Sequence, residues 1–200
     1  MKLYITRHGQ TEWNIDGRTQ GWKNSNLTEK GIDNAKKLGE HLRHIDFDCI
    51  YSSPLGRAYN TAKYIRGNKN TEIILIENFR EMNFGIWEGM KHSEVEERYP
   101  IENYNLRNKP HLYQSIGGEN FTQLFNRVRI GINDLMKSNA YQNLLLVTHS
   151  YVLKAIYAII RNYSIEELWN PPFIKDTSLT ILDITDEKVK IILEADTSHL

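Results

Sequence analysis

Residues 3–13 read LYITRHGQTEW, and the point where this stretch changes character decides how the rest of the chain is read. Leu3, Tyr4, Ile5 and Thr6 favour a strand and run straight into Arg7, His8 and Gly9. Apolar character stops there, and Gly9 frees the backbone for a sharp bend. Thr11 can then cap a short helical turn through Glu12, Trp13 and Asn14. A buried strand that ends on an arginine beside a histidine makes a poor core. It suits an anion held against a nucleophile. Residues 144–150, LLLVTHS, repeat the pattern near the other end of the chain: a continuous apolar run, as in a central parallel strand, stopped by His149 and Ser150.

Strands and helices alternate between these two stretches. Thr28 can cap a helix whose apolar stripe is Ile32, Ala35, Leu38, Leu42 and Ile45, with Leu27 as a hydrophobic staple. Residues 48–52 read as a second strand, and Pro54 opens a helix to Ile65 that carries Arg57 in its first turn. Residues 72–77, EIILIE, read as a third strand, followed by a loop holding Glu81. A short helix over 93–98 is expected to end at Pro100, with an irregular aromatic insertion after it. Gly117 and Gly118 precede a long helix with Phe121, Leu124, Phe125, Val128, Ile132 and Leu135 facing inward. A helix follows His149, Ser164 caps a further turn, and residues 177–184 and 188–194 form a hairpin through Asp186 and Glu187. This order predicts an α/β chain, a three-layer α/β/α arrangement with a largely parallel sheet and helices on both faces. Residues 1–200 are read as one domain, with 90–115 as a lid insertion.

The 200 residues carry 25 basic and 25 acidic side chains, so the formal charge argues against a dedicated nucleic-acid or membrane-surface role. Cys49, the one cysteine, lies in an apolar stretch and is expected to be a buried strand residue in a reducing compartment. No apolar signal segment or membrane-length run is visible, and the chain reads as cytoplasmic. No glycine-rich nucleotide loop is present.

In open parallel sheets ligands bind beyond the carboxyl ends of the strands. His8 and His149 therefore project toward one crevice, and Arg57 and Glu81 lie just past the ends of the second and third strands. Two guanidiniums suit an anion with several oxygens, most simply phosphate. A neutral imidazole is a competent nucleophile, and a protonated Glu81 could supply the acid that the departing oxygen needs. Burial and a phosphate dianion would both raise the pKa of Glu81 in that role.

The strings LYITRHGQTEWN (3–14), SSPLGRAYNTA (52–62), REMNFGIWEG (80–89) and LLLVTHS (144–150) resemble, in order and spacing, the histidine phosphatase superfamily, which has the phosphoglycerate mutase-like fold. The resemblance spans nearly the whole chain. It implies that His8 becomes phosphohistidine and that Glu81 is proton donor and later base. Arg7, Arg57, Asn14 and His149 would hold the phosphoryl oxygens, with Gln20 and Gly21 in the loop beside the phosphate and Thr11 supporting the turn. Ser150 stands where many members have glycine, and its backbone N–H would still serve the phosphate.

Met82, Asn83 and Phe84 follow Glu81 where mutases carry a basic and aromatic cluster, so the closer likeness is to broad-specificity bacterial phosphatases. The resemblance implies a metal-independent phosphomonoester hydrolase with no cofactor and a small-molecule phosphate ester as its partner. A phosphoglycerate mutase and a non-catalytic phospho-ligand module are the alternatives. The sequence leaves the oligomeric state open.

Blander readings compete at several positions. Asn14 and Thr11 could simply cap, and Gln20 could be a loop amide. Glu119 could orient the site or cap a helix. Trp22, Trp87, Tyr104, Tyr113 and Trp169 could line an apolar mouth or merely pack. His41 and His44, at i,i+3, read as a solvated helix end rather than a metal site.

Overall fold

Six strands form one sheet in the computed structural model, which describes every residue except 138–140 and 186–187. In chain order the elements are β1 (Lys2–Arg7), α1 (Glu12–Ile15), α2 (Glu29–His41), β2 (Cys49–Ser52), α3 (Gly56–Arg66), β3 (Ile73–Leu75), α4 (His92–Arg98), α5 (Pro100–Asn108), α6 (Phe121–Met136), β4 (Asn143–Thr148), α7 (Ser150–Arg161), β5 (Leu179–Ile184) and β6 (Val189–Asp196). Short 3-10 turns lie at Glu77–Phe79, Gly85–Trp87, Pro110–Leu112 and Ile165–Glu167. The strand order is β3-β2-β4-β1-β5-β6. The first four of these pair in parallel, while β5 runs antiparallel to β1 and β6 antiparallel to β5.

The two-residue period of a strand divides the core between the two faces. Leu3 and Ile5 of β1, Cys49 and Tyr51 of β2, and Leu144 and Leu146 of β4 point to one face, where Val128 and Ile132 of α6 and Ile156 of α7 cover them. Tyr4, Ile50, Leu145 and Val147 point to the other, against Ala35 and Leu38 of α2 and Ala58 and Ala62 of α3. Both faces are therefore closed by helices, and the central strand β4 is apolar along almost its whole length. Cys49 is buried, as its neighbours predict.

The expected caps at Thr11 and Thr28 form, each side chain accepting a backbone N–H of the turn that follows, and Asn120, not singled out in the sequence, caps α6 in the same way. Four local expectations need correction. Pro54 does not open α3; it stands in the bend before it, where the Leu55 N–H donates to Ser53 Oγ at 3.3 Å and the helix begins at Gly56. The strand predicted over 72–77 shortens to Ile73–Leu75 because it is a sheet edge paired only with β2. The segment after Pro100 is not irregular. The helix before it ends as expected, α4 stopping at Arg98, but Pro100 also occupies the first turn of α5, where its missing N–H costs nothing, so a second helix follows at once. Gly9 does not adopt a positive φ; its lack of a side chain is needed because a Cβ there would lie 2.6 Å from the Gly31 carbonyl oxygen. The predicted 186–187 turn of the β5–β6 hairpin lies outside the described residues. No helix among the described residues is long and apolar enough to cross a membrane.

Candidate active site

Strands β1 and β4 are adjacent and parallel, with Arg7 paired to Thr148. The next residue on each strand is a histidine. The His8 N–H donates to the Thr148 carbonyl at 2.9 Å, and the two imidazole centroids lie 5.2 Å apart. The register of one strand pair thus brings together residues 141 positions apart in sequence, 149 − 8. Arg57, in the first turn of α3, and Glu81, after the 3-10 turn that follows β3, reach the same place from the neighbouring strands. A cavity of about 590 Å³ opens above them. Its lining includes Arg7, His8, Asn14, Gln20, Gly21, Arg57, Glu81 and Ser150, whereas His149 lies behind His8, fully buried.

The partners of His8 fix its tautomer. Nδ1 lies 2.8 Å from the Gly9 carbonyl oxygen, which can only accept, so Nδ1 carries the proton and Nε2 the lone pair. Arg57 agrees with this, donating from Nε to His8 Nε2 at 3.3 Å. Burial, reinforced by the charges of Arg57 and Arg7, pushes the His8 pKa well below the ordinary histidine value. The ring is a neutral base whose Nε2 lone pair accepts from Arg57, both residues lining the cavity. His149 is also pushed well below the ordinary value, first by burial and then by Arg57 and His8. Its Nε2 meets Ser53 Oγ at 2.8 Å, and its buried Nδ1 has no partner among the described residues.

The two arginines are hydrogen-bonded by backbone carbonyls, and among the described residues no carboxylate forms a direct salt bridge with either. Arg57 donates from Nη1 to Lys23 O and from Nη2 to Gly21 O, each at 2.7 Å. Burial pushes its pKa down to about 10, and it stays protonated at neutral pH. Arg7 donates from Nη1 to Ile174 O at 2.8 Å, and its Nε is buried without a partner among the described residues. These unmatched N–H groups suit an oxyanion.

Glu81 is 6% exposed. Its Oε1 accepts the Met82 N–H at 2.9 Å, and Oε2 faces Ser150 Oγ at 3.3 Å and the Tyr151 N–H at 3.5 Å. Burial raises its pKa, opposed by the Met82 hydrogen bond and by Arg57 and Arg7. A carboxyl group raised toward neutrality beside a neutral imidazole provides one acid and one base in the same cavity.

The remaining expected residues divide by what their polar atoms do. Asn14 accepts through Oδ1 from both the N–H and the hydroxyl of Thr11, at 3.0 Å each. That arrangement orients its amide N–H₂ group away from the cap. Gln20 donates from Nε2 to Thr11 Oγ1 at 2.8 Å and accepts from Ser25 Oγ at 3.3 Å, so most of its side chain braces the loop. Gly21 has φ +55°, and a Cβ there would lie 2.1 Å from Glu88 Oε1. Of the aromatic candidates, Trp87 and Trp169 line the cavity. Tyr113 is core, Tyr104 is exposed, and Trp22 donates from Nε1 to the Glu81 carbonyl at 2.8 Å.

Sequence reasoning missed Arg127 of α6, which clasps the Glu81 segment. It donates to the carbonyls of Asn78, Arg80 and Glu81 at 2.9, 2.7 and 2.9 Å. It also forms a two-pronged pair with Glu119 at 2.6 and 2.8 Å, and Glu119 in turn accepts the Asn83 N–H at 2.9 Å. Ser53, Arg107 and Lys154 were missed too. Only Ser53 had a visible cue, its position at the end of the second strand.

A model described as the histidine phosphatase superfamily (branch 1) matches residues 3–197. The chain is 33% identical to phosphoserine phosphatase 1 of Hydrogenobacter thermophilus, over 100% of this chain and 94% of that protein. It is 33% identical to the adenosylcobalamin/alpha-ribazole phosphatase of Escherichia coli, over 85% of this chain and 84% of that protein. Among solved structures, YhfR of Bacillus stearothermophilus superposes with a TM-score of 0.96 at 37% identity, covering 99% of this chain and 98% of that one.

Proposed function

The chain belongs to the histidine phosphatase superfamily and is a phosphatase of that superfamily, and on that premise we propose how its own residues cleave a phosphomonoester. The observation that carries the reading is the neutral His8, whose Nε2 lone pair accepts from Arg57 in the cavity lining while Glu81 stands in the same cavity with a raised pKa. His8 Nε2 attacks phosphorus in line, forming the N–P bond as the ester P–O bond breaks. Glu81 gives its proton to the leaving alkoxide oxygen. A water then attacks the phosphohistidine, Glu81 takes its proton, the N–P bond breaks, and His8 returns to its neutral form. Nδ1 keeps its hydrogen bond to Gly9 throughout, which stabilises the positive charge that develops on the ring.

Arg7 and Arg57 meet the equatorial oxygens, with Asn14, Gln20, Gly21 and Ser150 around them, and His149 backs the His8 ring from outside the cavity lining. This is the electrostatic stabilisation on which phosphoryl transfer chiefly depends. The arginines supply the countercharge, so the reaction is read as proceeding without a metal or cofactor. Residues 1–200 act as one catalytic domain, supported by the delivery of both histidines from one sheet. Residues 90–115 cover the mouth, supported by His92, Val95, Asn103, Leu106 and Arg107 in the cavity lining. The substrate is a small-molecule ester rather than nucleic acid or a membrane, and buried Cys49 supports a reducing, cytoplasmic setting.

Enzyme incubated with an aryl phosphate radiolabelled in its phosphoryl group and quenched in alkaline detergent tests the assignment. The expected result is an acid-labile, base-stable phosphoprotein that the His8→Ala variant does not form, together with loss of phosphate release. Retained turnover by His8→Ala overturns it. Label recovered in an isomer of the substrate, instead of in water, would convert the reading to a mutase.

A further inference from the structure

The active-site cavity carries more positive charge than a phosphoryl group needs. Arg7, Arg18, Arg57, Arg107 and Lys154 all line it, and among the described residues Glu81 is the only carboxylate that does. The chain as a whole has as many acidic as basic residues, so this local excess does not follow from composition. Arg7 and Arg57 flank His8. Arg18 is engaged elsewhere, donating to Gly89 O at 2.8 Å and lying 3.7 Å from Asp16. That leaves Arg107 and Lys154.

Neither makes a salt bridge among the described residues. Lys154 is only 7% exposed, and its ammonium reaches one carbonyl, Pro171 O, beside the Trp169 ring at 5.8 Å. A buried ammonium has three protons to place, and leaving it without an anion is costly. Lys154 follows Ser150 by four residues on α7, so it lies on the same helix face about 6 Å farther from the Glu81 end. Arg107, on α5 across the cavity, donates from Nε to Asn103 Oδ1 at 3.2 Å, and its exposed end is otherwise uncommitted. Val95, Leu106, Trp87 and Trp169 form the wall around these two cations. The volume, about 590 Å³, is in the range that holds a sizeable organic group rather than phosphate alone.

We infer that Lys154 and Arg107 form a second anion subsite, and that the preferred substrates are phosphomonoesters whose leaving group bears its own anionic group, a carboxylate or a second phosphate, next to an apolar body. The inference rests on the hydrolase reading. It assigns specificity, not chemistry, to these residues.

The test compares kcat/KM for phenyl phosphate, para-carboxyphenyl phosphate and para-(phosphonomethyl)phenyl phosphate in the native enzyme and in Lys154→Met, Lys154→Arg and Arg107→Gln. Each variant is scored by the ratio of anionic to neutral ester relative to the native ratio, which cancels differences in leaving-group chemistry. Lys154→Met should lower that ratio about tenfold, as expected for loss of a desolvated charge-assisted bond. Arg107→Gln should lower it about threefold, because solvent screens an exposed cation. Lys154→Arg should retain most of the ratio. A loss confined to one anionic ester supports the subsite and assigns it to that anion. Ratios within twofold of native in both Lys154→Met and Arg107→Gln overturn the inference, and if Lys154→Met does not fold, Arg107→Gln alone decides. If the native enzyme turns over none of the three esters, the hydrolase reading has failed instead.

Discussion

Replacing Arg127 with methionine removes the clasp on the Glu81 segment while keeping the aliphatic stem of the side chain. Five hydrogen bonds go with the guanidinium, three to the carbonyls of Asn78, Arg80 and Glu81 and two to Glu119. The Arg127 and Glu119 side chains are 17% and 15% exposed, so the pair is mostly but not wholly desolvated. Removing one member of a buried ion pair costs about 3–5 kcal/mol, and the residual exposure argues for the lower end, about 3 kcal/mol. For a chain of this size that corresponds to a fall in Tm of roughly 6–12 °C.

The kinetic consequence is separate. The Glu81 carbonyl keeps Trp22 Nε1 as a donor but loses Arg127 Nη2, so the acid should drift from its place over the ester oxygen. A displacement near 1 Å is worth on the order of a hundredfold in rate. Thermal melts and steady-state kinetics with an alkyl phosphate should therefore show a lower Tm and a kcat reduced roughly tenfold to a hundredfold. Inhibition by inorganic phosphate should change little, since Arg7 and Arg57 are untouched. A Glu81 that drifts toward solvent also loses the burial that raises its pKa, and the alkaline limb of the pH profile should move to lower pH. Native melting and native kcat in Arg127→Met would refute the clasp. A lower Tm with native kcat and an unmoved alkaline limb would reduce it to a stability feature.

Other outcomes follow from the same geometry. Glu81→Gln should cut kcat/KM, which reports the steps up to phosphoryl transfer to His8, by about 10²–10⁴-fold for alkyl phosphates and far less for a nitrophenyl ester, because only the poor leaving group needs the proton; equal losses of kcat/KM in both would remove Glu81 as the acid. The profile of kcat/KM against pH should fall on the acid side as His8 protonates, below the ordinary histidine value, and on the alkaline side as the raised Glu81 ionises. Stability carries a related sign: His8 and His149 are held neutral with lowered pKa values, so the unfolded chain binds more protons below about pH 6.5 and the native state loses stability as pH falls further. Denaturant melts at pH 7 and pH 5 measure it, and a more stable protein at pH 5 would contradict the burial of both rings. Gly9→Ala would put a Cβ 2.6 Å from the Gly31 carbonyl oxygen, backbone against backbone, and should cost about 2–3 kcal/mol and disturb His8 beside it; a native Tm and kcat would show that this contact relaxes freely.

Which parts of this arrangement the sequence revealed depends on whether they are local. The ends of LYITR and LLLVT announce themselves because an apolar run stops at a charged or aromatic polar group, and the rule that sheets bind ligands at strand ends then places His8, His149, Arg57 and Glu81 together. Caps at Thr11 and Thr28 depend on residues three apart, and both formed. The end of α4 before Pro100 was legible but the start of α5 at Pro100 was not, because proline is equally at home after one helix and at the start of the next, and here the two abut. Arg127 was invisible for a different reason. On α6 it sits beside the apolar stripe, where an arginine reads as solvent-facing, and only the path of residues 78–81 beneath it turns it into a clasp.

Lys154 makes the strongest case for what only three dimensions disclose. In the helix over 150–161 it is the one charged residue before Arg161, and the obvious reading turns it outward. The structure buries it, because α7 has the sheet on one side and the Trp169–Ile174 passage on the other, leaving no solvent face at that turn. An amphipathic pattern assigns charge to water by default, and the default fails where a second layer of chain covers the polar face. The bond of Lys154 to the Pro171 carbonyl and its place beside the Trp169 ring use only part of what a buried ammonium offers. Its presence is accounted for if the cavity it faces is filled by an anion, and the selectivity ratio of Lys154→Met measures that directly.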